Sequence, residues 1–142
     1  MKKLLFGFLQ ALMRFNSAVS ASNQKGVDKK ITKALQGWIA DKKFCIPDQT
    51  LSEVAEDLDV SPNAFSYYCV TVLKERFTSF RKKLRLAEAR AIIERNPDEK
   101  LINVAYMVGI QDKCNFRRQF YEVYGMTPGE WREKCRKKNA EK

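Results

Sequence analysis

Histidine is absent from this chain of 142 residues. Its absence removes Ser-His-Asp and Cys-His catalysis, imidazole metal sites and histidine pH sensing together. The four cysteines, Cys45, Cys69, Cys114 and Cys135, contain no C-x-x-C pair, so neither a zinc ribbon nor a thioredoxin-like redox motif has support. They read as reduced thiols in a cytosolic protein, with Cys69 a small core residue in an apolar helix slot. No phosphate-binding loop or nucleophile motif occurs, and the carboxylates are scattered over helix surfaces. The chain therefore reads as no enzyme, with no catalytic residue, no metal ligand, no cofactor and no evident small-molecule site. No apolar run reaches the roughly 20 residues that span a bilayer.

What the chain does have is positive charge. Lys and Arg number 27 against 17 Asp and Glu, a formal net charge of +10 and a pI near 9.6. Nucleic acid is the first partner such a balance suggests, and an anionic membrane surface the second. Hydrophobic content of 44% is that of a globular protein.

Residues 1–28 differ from the rest. Lys2 and Lys3 precede an apolar run from Leu4 to Met13, Arg14 ends it, and small polar residues follow. The order resembles a secretory signal, with Ala18 to Ala21 as its cleavage region. It equally suits an interfacial helix that associates residues 1–16 with a membrane, or an ordinary helix packed on the rest. A nucleic-acid partner, which the charge suggests, would argue against export. Asn23 to Asp28 read as a linker, and Asp28 as the cap of a helix running to Ala40, where Ile31, Ala34, Leu35, Trp38 and Ile39 recur at helical spacing.

Two helix-turn-helix units follow. In the first, Thr50 caps a helix with Glu53 three residues on, and Leu51, Val54, Ala55 and Leu58 form its apolar face. Asp59 and Val60 turn, Ser61 caps, Pro62 takes the first helical position, and Phe65, Cys69 and Val72 make the next stripe. In the second, Ile102, Ala105 and Val108 lead to Gly109, then Phe116, Phe120 and Val123. The units are an internal repeat. Val54 and Ala55 match Val104 and Ala105, and Val60 matches Ile110, at an offset of fifty. Beyond the turn the offset is fifty-one: Phe65 matches Phe116, Cys69 matches Phe120 and Val72 matches Val123. One extra residue in the second turn accounts for the change. Between the units, Ser79 to Arg95 read as one linker helix about 25 Å long. Phe80, Leu84, Ala87, Ala91 and Ile92 are its buried face, and basic residues from Arg81 to Arg90 cover much of the rest. Asn96 and Pro97 end it. The same major groove recurs about every 34 Å of B-DNA, so such a spacer suits two neighbouring sites.

Residues 29 to 136 resemble the DNA-binding domain of AraC/XylS-type transcriptional regulators. The resemblance rests on Val104-Ala105, Val108-Gly109-Ile110, Asn115-Phe116, Arg118, Phe120, Gly125, Thr127-Pro128 and Glu130-Trp131-Arg132, with Leu84 to Arg90 fitting the family's linker helix. It implies about seven helices in two subdomains joined by a long helix, and one recognition helix per subdomain in successive major grooves. Ile110 stands where the family usually has Phe, and Tyr121 where it usually has Lys. The first recognition helix, Pro62 to Val72, has no Lys or Arg, which leaves Asn63, Ser66 and Tyr67 to read bases. On the second, Lys113, Asn115, Arg117 and Arg118 face DNA, with Arg able to bond bidentately to guanine. Thr127 opens the last helix, whose N-terminus offers N–H groups to a phosphate.

The expectation is an all-α protein with two helix-turn-helix subdomains, residues 29–78 and 96–136, joined by a linker helix at 79–95. An N-terminal segment, 1–28, precedes them and a basic tail, 137–142, follows. Its expected function is sequence-specific binding of double-stranded DNA to regulate transcription in the cytoplasm, with RNA polymerase as a further partner. The alternative is a membrane-associated interaction protein, or the output end of a membrane-tethered sensor. No effector domain of usual size fits before residue 29.

Overall fold

The computed structural model describes residues 22–141. The signal-like run and the interfacial helix of the first segment lie outside the described residues. Among the described residues there are seven α-helices and no strand. They are α1 (Ser22–Ala40), α2 (Leu51–Asp57), α3 (Pro62–Tyr68), α4 (Phe77–Arg95), α5 (Leu101–Met107), α6 (Lys113–Tyr124) and α7 (Pro128–Ala140). A 3-10 turn, Lys43–Cys45, follows α1, and a π turn, Cys69–Leu73, extends α3.

Helix α1 departs from the sequence reading. Residues 23–28 are helix rather than linker, and Asp28 is 4% exposed within it rather than a cap at its start. Asp28, Ile31, Thr32 and Leu35 continue one buried stripe, whose polar members disguise it in the sequence. Polar burial requires partners. The Thr32 hydroxyl meets the Tyr68 hydroxyl at 2.6 Å inside the core. Burial pushes the Tyr68 phenol from 10.0 to about 12, against the opposing effect of that hydrogen bond. The Cys69 thiol next to it also rises to about 12, chiefly through burial, and behaves as a core residue.

The chain forms two units. The first contains described residues 22–43 and 48–81, the second residues 44–47 and 82–141. Segment 44–47 thus belongs with the second unit although it lies between α1 and α2 in sequence. Helix α4 also starts earlier than its apolar spacing suggests, at Phe77.

In the first unit Phe77 joins Trp38 at 5.8 Å and Phe65 at 5.2 Å between ring centroids. These aromatic contacts bring α1, α3 and the start of α4 together. Arg81 stacks over Phe77 at 5.0 Å and donates to the Gln49 carbonyl at 2.5 Å.

The second unit has its own core, built from Leu86, Ala89 and Ile93 of α4, Val104 and Ala105 of α5, and Phe116 and Phe120 of α6. Leu86, Ala89 and Ile93 form a second buried stripe on α4 beside Phe80, Leu84, Ala87 and Ala91, while Ile92 is half-buried. Burial on both stripes leaves less of α4 for solvated charge than its basic sequence suggests. Arg85 donates to the Phe44 carbonyl at 2.6 Å and the Ile46 carbonyl at 2.8 Å, fixing segment 44–47. Arg90 lies 4.1 Å from the Trp131 ring and 4.8 Å from the Tyr124 ring. Its backbone carbonyl accepts from the Trp131 indole at 3.1 Å. Arg85 and Arg90 are thus held by groups of the second unit itself.

Candidate nucleic-acid interface

The repeat seen in the sequence is a repeat of backbone geometry. Helices α2 and α5 each have seven residues and start at equivalent positions. After α2 the chain turns at Asp59 with φ 58°, and after α5 at Gly109 with φ 88°. The amide of Val60 donates to the Ala55 carbonyl at 3.0 Å, and that of Ile110 to the Ala105 carbonyl at 2.9 Å. One hydrogen bond therefore closes both turns, fifty residues apart. The extra residue, Gln111, follows it.

Helices α3 and α6 are then capped in the same way. Ser61 accepts from the Ala64 amide at 3.1 Å. Asp112, a cap the sequence reading missed, accepts from Cys114 at 2.8 Å and Asn115 at 3.3 Å. At the other end Lys74 (φ 63°) and Gly125 (φ 68°) take the left-handed conformation that terminates a helix. Ser61 to Lys74 and Asp112 to Gly125 are the same length. The offset of fifty-one continues beyond them, matching Phe80 with Trp131, Arg81 with Arg132, and Leu84 with Cys135.

Helical spacing and burial define the outward faces of α3 and α6. On α3 and its π extension the exposed residues are Pro62, Asn63, Ser66, Tyr67 and Val70. On α6 they are Lys113, Cys114, Arg117, Arg118, Tyr121 and Glu122. The two sets correspond at every position but Glu122, whose counterpart Thr71 is half-buried. Asn63, Ser66, Tyr67, Lys113, Arg117 and Arg118, all expected from the sequence, are exposed. Asn115 is half-buried and its side-chain carbonyl accepts from the Arg118 guanidinium. It therefore holds an arginine rather than presenting both of its own polar groups outward. Val70 is an apolar side chain that polar base-reading chemistry does not single out, and Tyr121 stood out only as a departure from the family's usual Lys. Extending the fifty-one-residue offset from the buried stripe to the opposite face would have found them.

Thr127 caps α7, its hydroxyl accepting from the Glu130 amide at 3.2 Å. With Leu101, Lys113, Phe116, Arg117, Pro128 and Gly129 it lines a cleft of about 240 Å³. The structure thus brings three expected residues, Lys113, Arg117 and Thr127, to one opening where the starts of α6 and α7 converge. Two lysine and arginine side chains and a helix N-terminus there make an electropositive mouth.

A family model described as a helix-turn-helix domain matches residues 54–134, more than half of the chain. The chain belongs to the AraC-type helix-turn-helix family. The C-terminal domain of AraT, a response regulator from Geobacillus stearothermophilus, is similar at 27% identity and a TM-score of 0.65, over 74% of this chain and 84% of that one. A DNA-binding transcriptional dual regulator from Escherichia coli K-12 shares the fold at 20% identity and a TM-score of 0.65, over 76% of this chain and 93% of that one. So does a transcriptional regulator described as AraC-type from Chromobacterium violaceum, at 19% identity and a TM-score of 0.66, over 78% of this chain and 95% of that one. No curated protein matches. AraC-type membership makes the chain a DNA-binding transcriptional regulator.

Proposed function

We propose that this AraC-type chain binds duplex DNA sequence-specifically, with α3 and α6 in successive major grooves. The observation that carries the reading is the equivalence of two outward faces, Asn63-Ser66-Tyr67-Val70 and Cys114-Arg117-Arg118-Tyr121, each following the same turn and cap. A fold that needed only one such face for packing would have no reason to keep two in register. Arg117 and Arg118 supply groups able to pair with guanine O6 and N7. Lys113 and the Thr127 end of α7 suit phosphate oxygens and set the register on the duplex.

Helix α6 carries most of the affinity in this reading. From Asp48 to Leu73 the chain contains Asp48, Glu53, Glu56, Asp57 and Asp59 and no Lys or Arg. Lys30 reaches Asp59 from α1, with its ammonium 3.7 Å from the carboxylate and 3.0 Å from the carbonyl, and moderates that negative edge. The first unit therefore adds site length and selectivity more than attraction. Regulation further requires that the bound chain contact RNA polymerase or exclude it, and its place of action is the cytoplasm. No catalysis enters the proposal. Among the described residues no helix is long and apolar enough to cross a membrane.

Selection from a random duplex pool, followed by salt titration, tests this function. A single enriched motif is expected. Arg118→Ala should weaken the selected site about tenfold or more while leaving random DNA within about twofold. Failure to enrich any sequence, with purely salt-driven affinity, overturns specific recognition.

A further inference from the structure

The outward face of α3 has a chemistry unlike that of α6. Asn63, Ser66, Tyr67 and Val70 carry no charge. Tyr67 is 54% exposed, Val70 59% and Tyr121, the counterpart of Val70, 56%. Single exposed apolar side chains are ordinary on protein surfaces. Here an apolar residue occupies the same outward position in both repeats, on the two helices that the proposed function puts against DNA. The major groove offers such side chains one apolar group, the C5-methyl of thymine. The polar members agree. Asn pairs bidentately with adenine N6 and N7, whereas the guanine pattern calls for Arg or Lys, which this face lacks.

The flank leads to the same conclusion. Glu56 and Asp59 line an open cleft with Ser61 and Pro62 at the start of α3. Even with Lys30 beside Asp59, carboxylates at this end of the helix disfavour close phosphate contact, which leaves base edges as the contacts open to α3. The backbone around Val70 is also distinctive. The π turn Cys69–Leu73 begins just before it, and the Thr71 hydroxyl donates to the Tyr67 carbonyl at 2.8 Å. Such π turns often occur at functional positions in helices.

Resting on the DNA-binding reading above, we propose that α3 reads an A·T-rich half-site, with Val70 and Tyr67 against thymine methyls and Asn63 on adenine, while α6 reads guanine. The operator is then two-part in composition. The half under α3 is specified by methyl groups and adenine edges, and the half under α6 by guanine.

The test uses the full chain and the duplex selected from a random pool. Each thymine is replaced in turn by deoxyuridine, which removes the methyl and leaves the Watson–Crick edge intact. At one or two thymines of a single half-site the affinity should fall about fourfold, the worth of burying one methyl group. Val70→Ala and Tyr67→Ala should each reduce the methyl penalty at the thymine its side chain contacts, and Arg118→Ala should keep every methyl penalty. Both α3 side chains are exposed, so an unchanged melting curve checks that the variants are folded. If no deoxyuridine lowers affinity, or the penalty survives undiminished in both α3 variants, methyl readout is overturned and sequence-specific binding stands. If selection enriches nothing, both readings fall.

Discussion

Gly109 and Gly125 both hold positive φ, yet for different local needs. At Gly125 (φ 68°) an added Cβ would meet nothing within 4 Å. At Gly109 (φ 88°) the same atom would sit 2.4 Å from the Cys45 carbonyl oxygen and 3.3 Å from the Arg85 guanidinium carbon. The first glycine answers only the left-handed backbone that ends α6; the second also answers the backbone of segment 44–47 passing against the turn. Gly125→Ala should therefore cost about 1 kcal/mol, the ordinary penalty of an L residue in that region. Gly109→Ala should cost about 3 kcal/mol, because the clash is with backbone and cannot be relieved by rotating a side chain. Urea denaturation of the two variants measures both, and equal losses would show that segment 44–47 yields freely. At this scale the sequence was informative where the requirement is local. Gly109, Thr50 and Ser61 were readable because turn and cap chemistry involves only residues a few positions away. The second demand on Gly109 comes from Cys45, far along the chain, and no local pattern carries it.

At the scale of elements, the sequence shows how much charge a helix has but not where that charge is spent. Helices α4 and α6 are both basic. On α4, Arg85 is held by two carbonyls of segment 44–47 and Arg90 between two aromatic rings, while Lys82 pairs with Glu122 at 3.6 Å. On α6, Lys113 is exposed at the cleft beside Thr127. The long-range partners that distinguish them are created by folding, so no local pattern in the sequence carries them. The start of α1 was lost for a related reason. Asp28 and Thr32 look like linker or surface residues until their burial is known. The difference between helices predicts a divided response to substitution. Lys113→Gln should lower the slope of log affinity against log salt by about 0.9, one phosphate contact, with stability near unchanged. Arg85→Gln should leave that slope alone and destabilise the chain by about 2 kcal/mol, since a planar cation on two carbonyls is replaced by a shorter neutral amide. Salt titration of binding beside urea denaturation reads both quantities. A lower slope for Arg85→Gln would return it to the DNA interface.

At the scale of the whole molecule, the two-unit plan was legible because a repeat imposes the same apolar slots twice, whereas the interleaving of the units was not. Segment 44–47 leaves the first unit, joins the second and is followed by α2 of the first. Helix α4 is divided likewise, with residues 77–81 in the first unit and 82–95 in the second. A helix shared in this way resists melting by halves. Unfolding the first unit removes the aromatic contacts that hold Phe77, and it releases both flanks of the segment that Arg85 fixes in the second. The units should therefore unfold in one transition, although each has its own core. The chain carries a convenient pair of reporters: of its two tryptophans, Trp38 belongs to the first unit and Trp131 to the second. Trp131→Phe leaves Trp38 as the only indole, and Trp38→Phe leaves Trp131. Each substitution removes packing of its own, so midpoints must be compared within a variant. In each, indole fluorescence and far-ultraviolet circular dichroism should give the same urea midpoint and the same slope. A fluorescence transition that precedes the loss of helix in either variant would mean that one unit opens alone, and that α4 frays where the two units divide it.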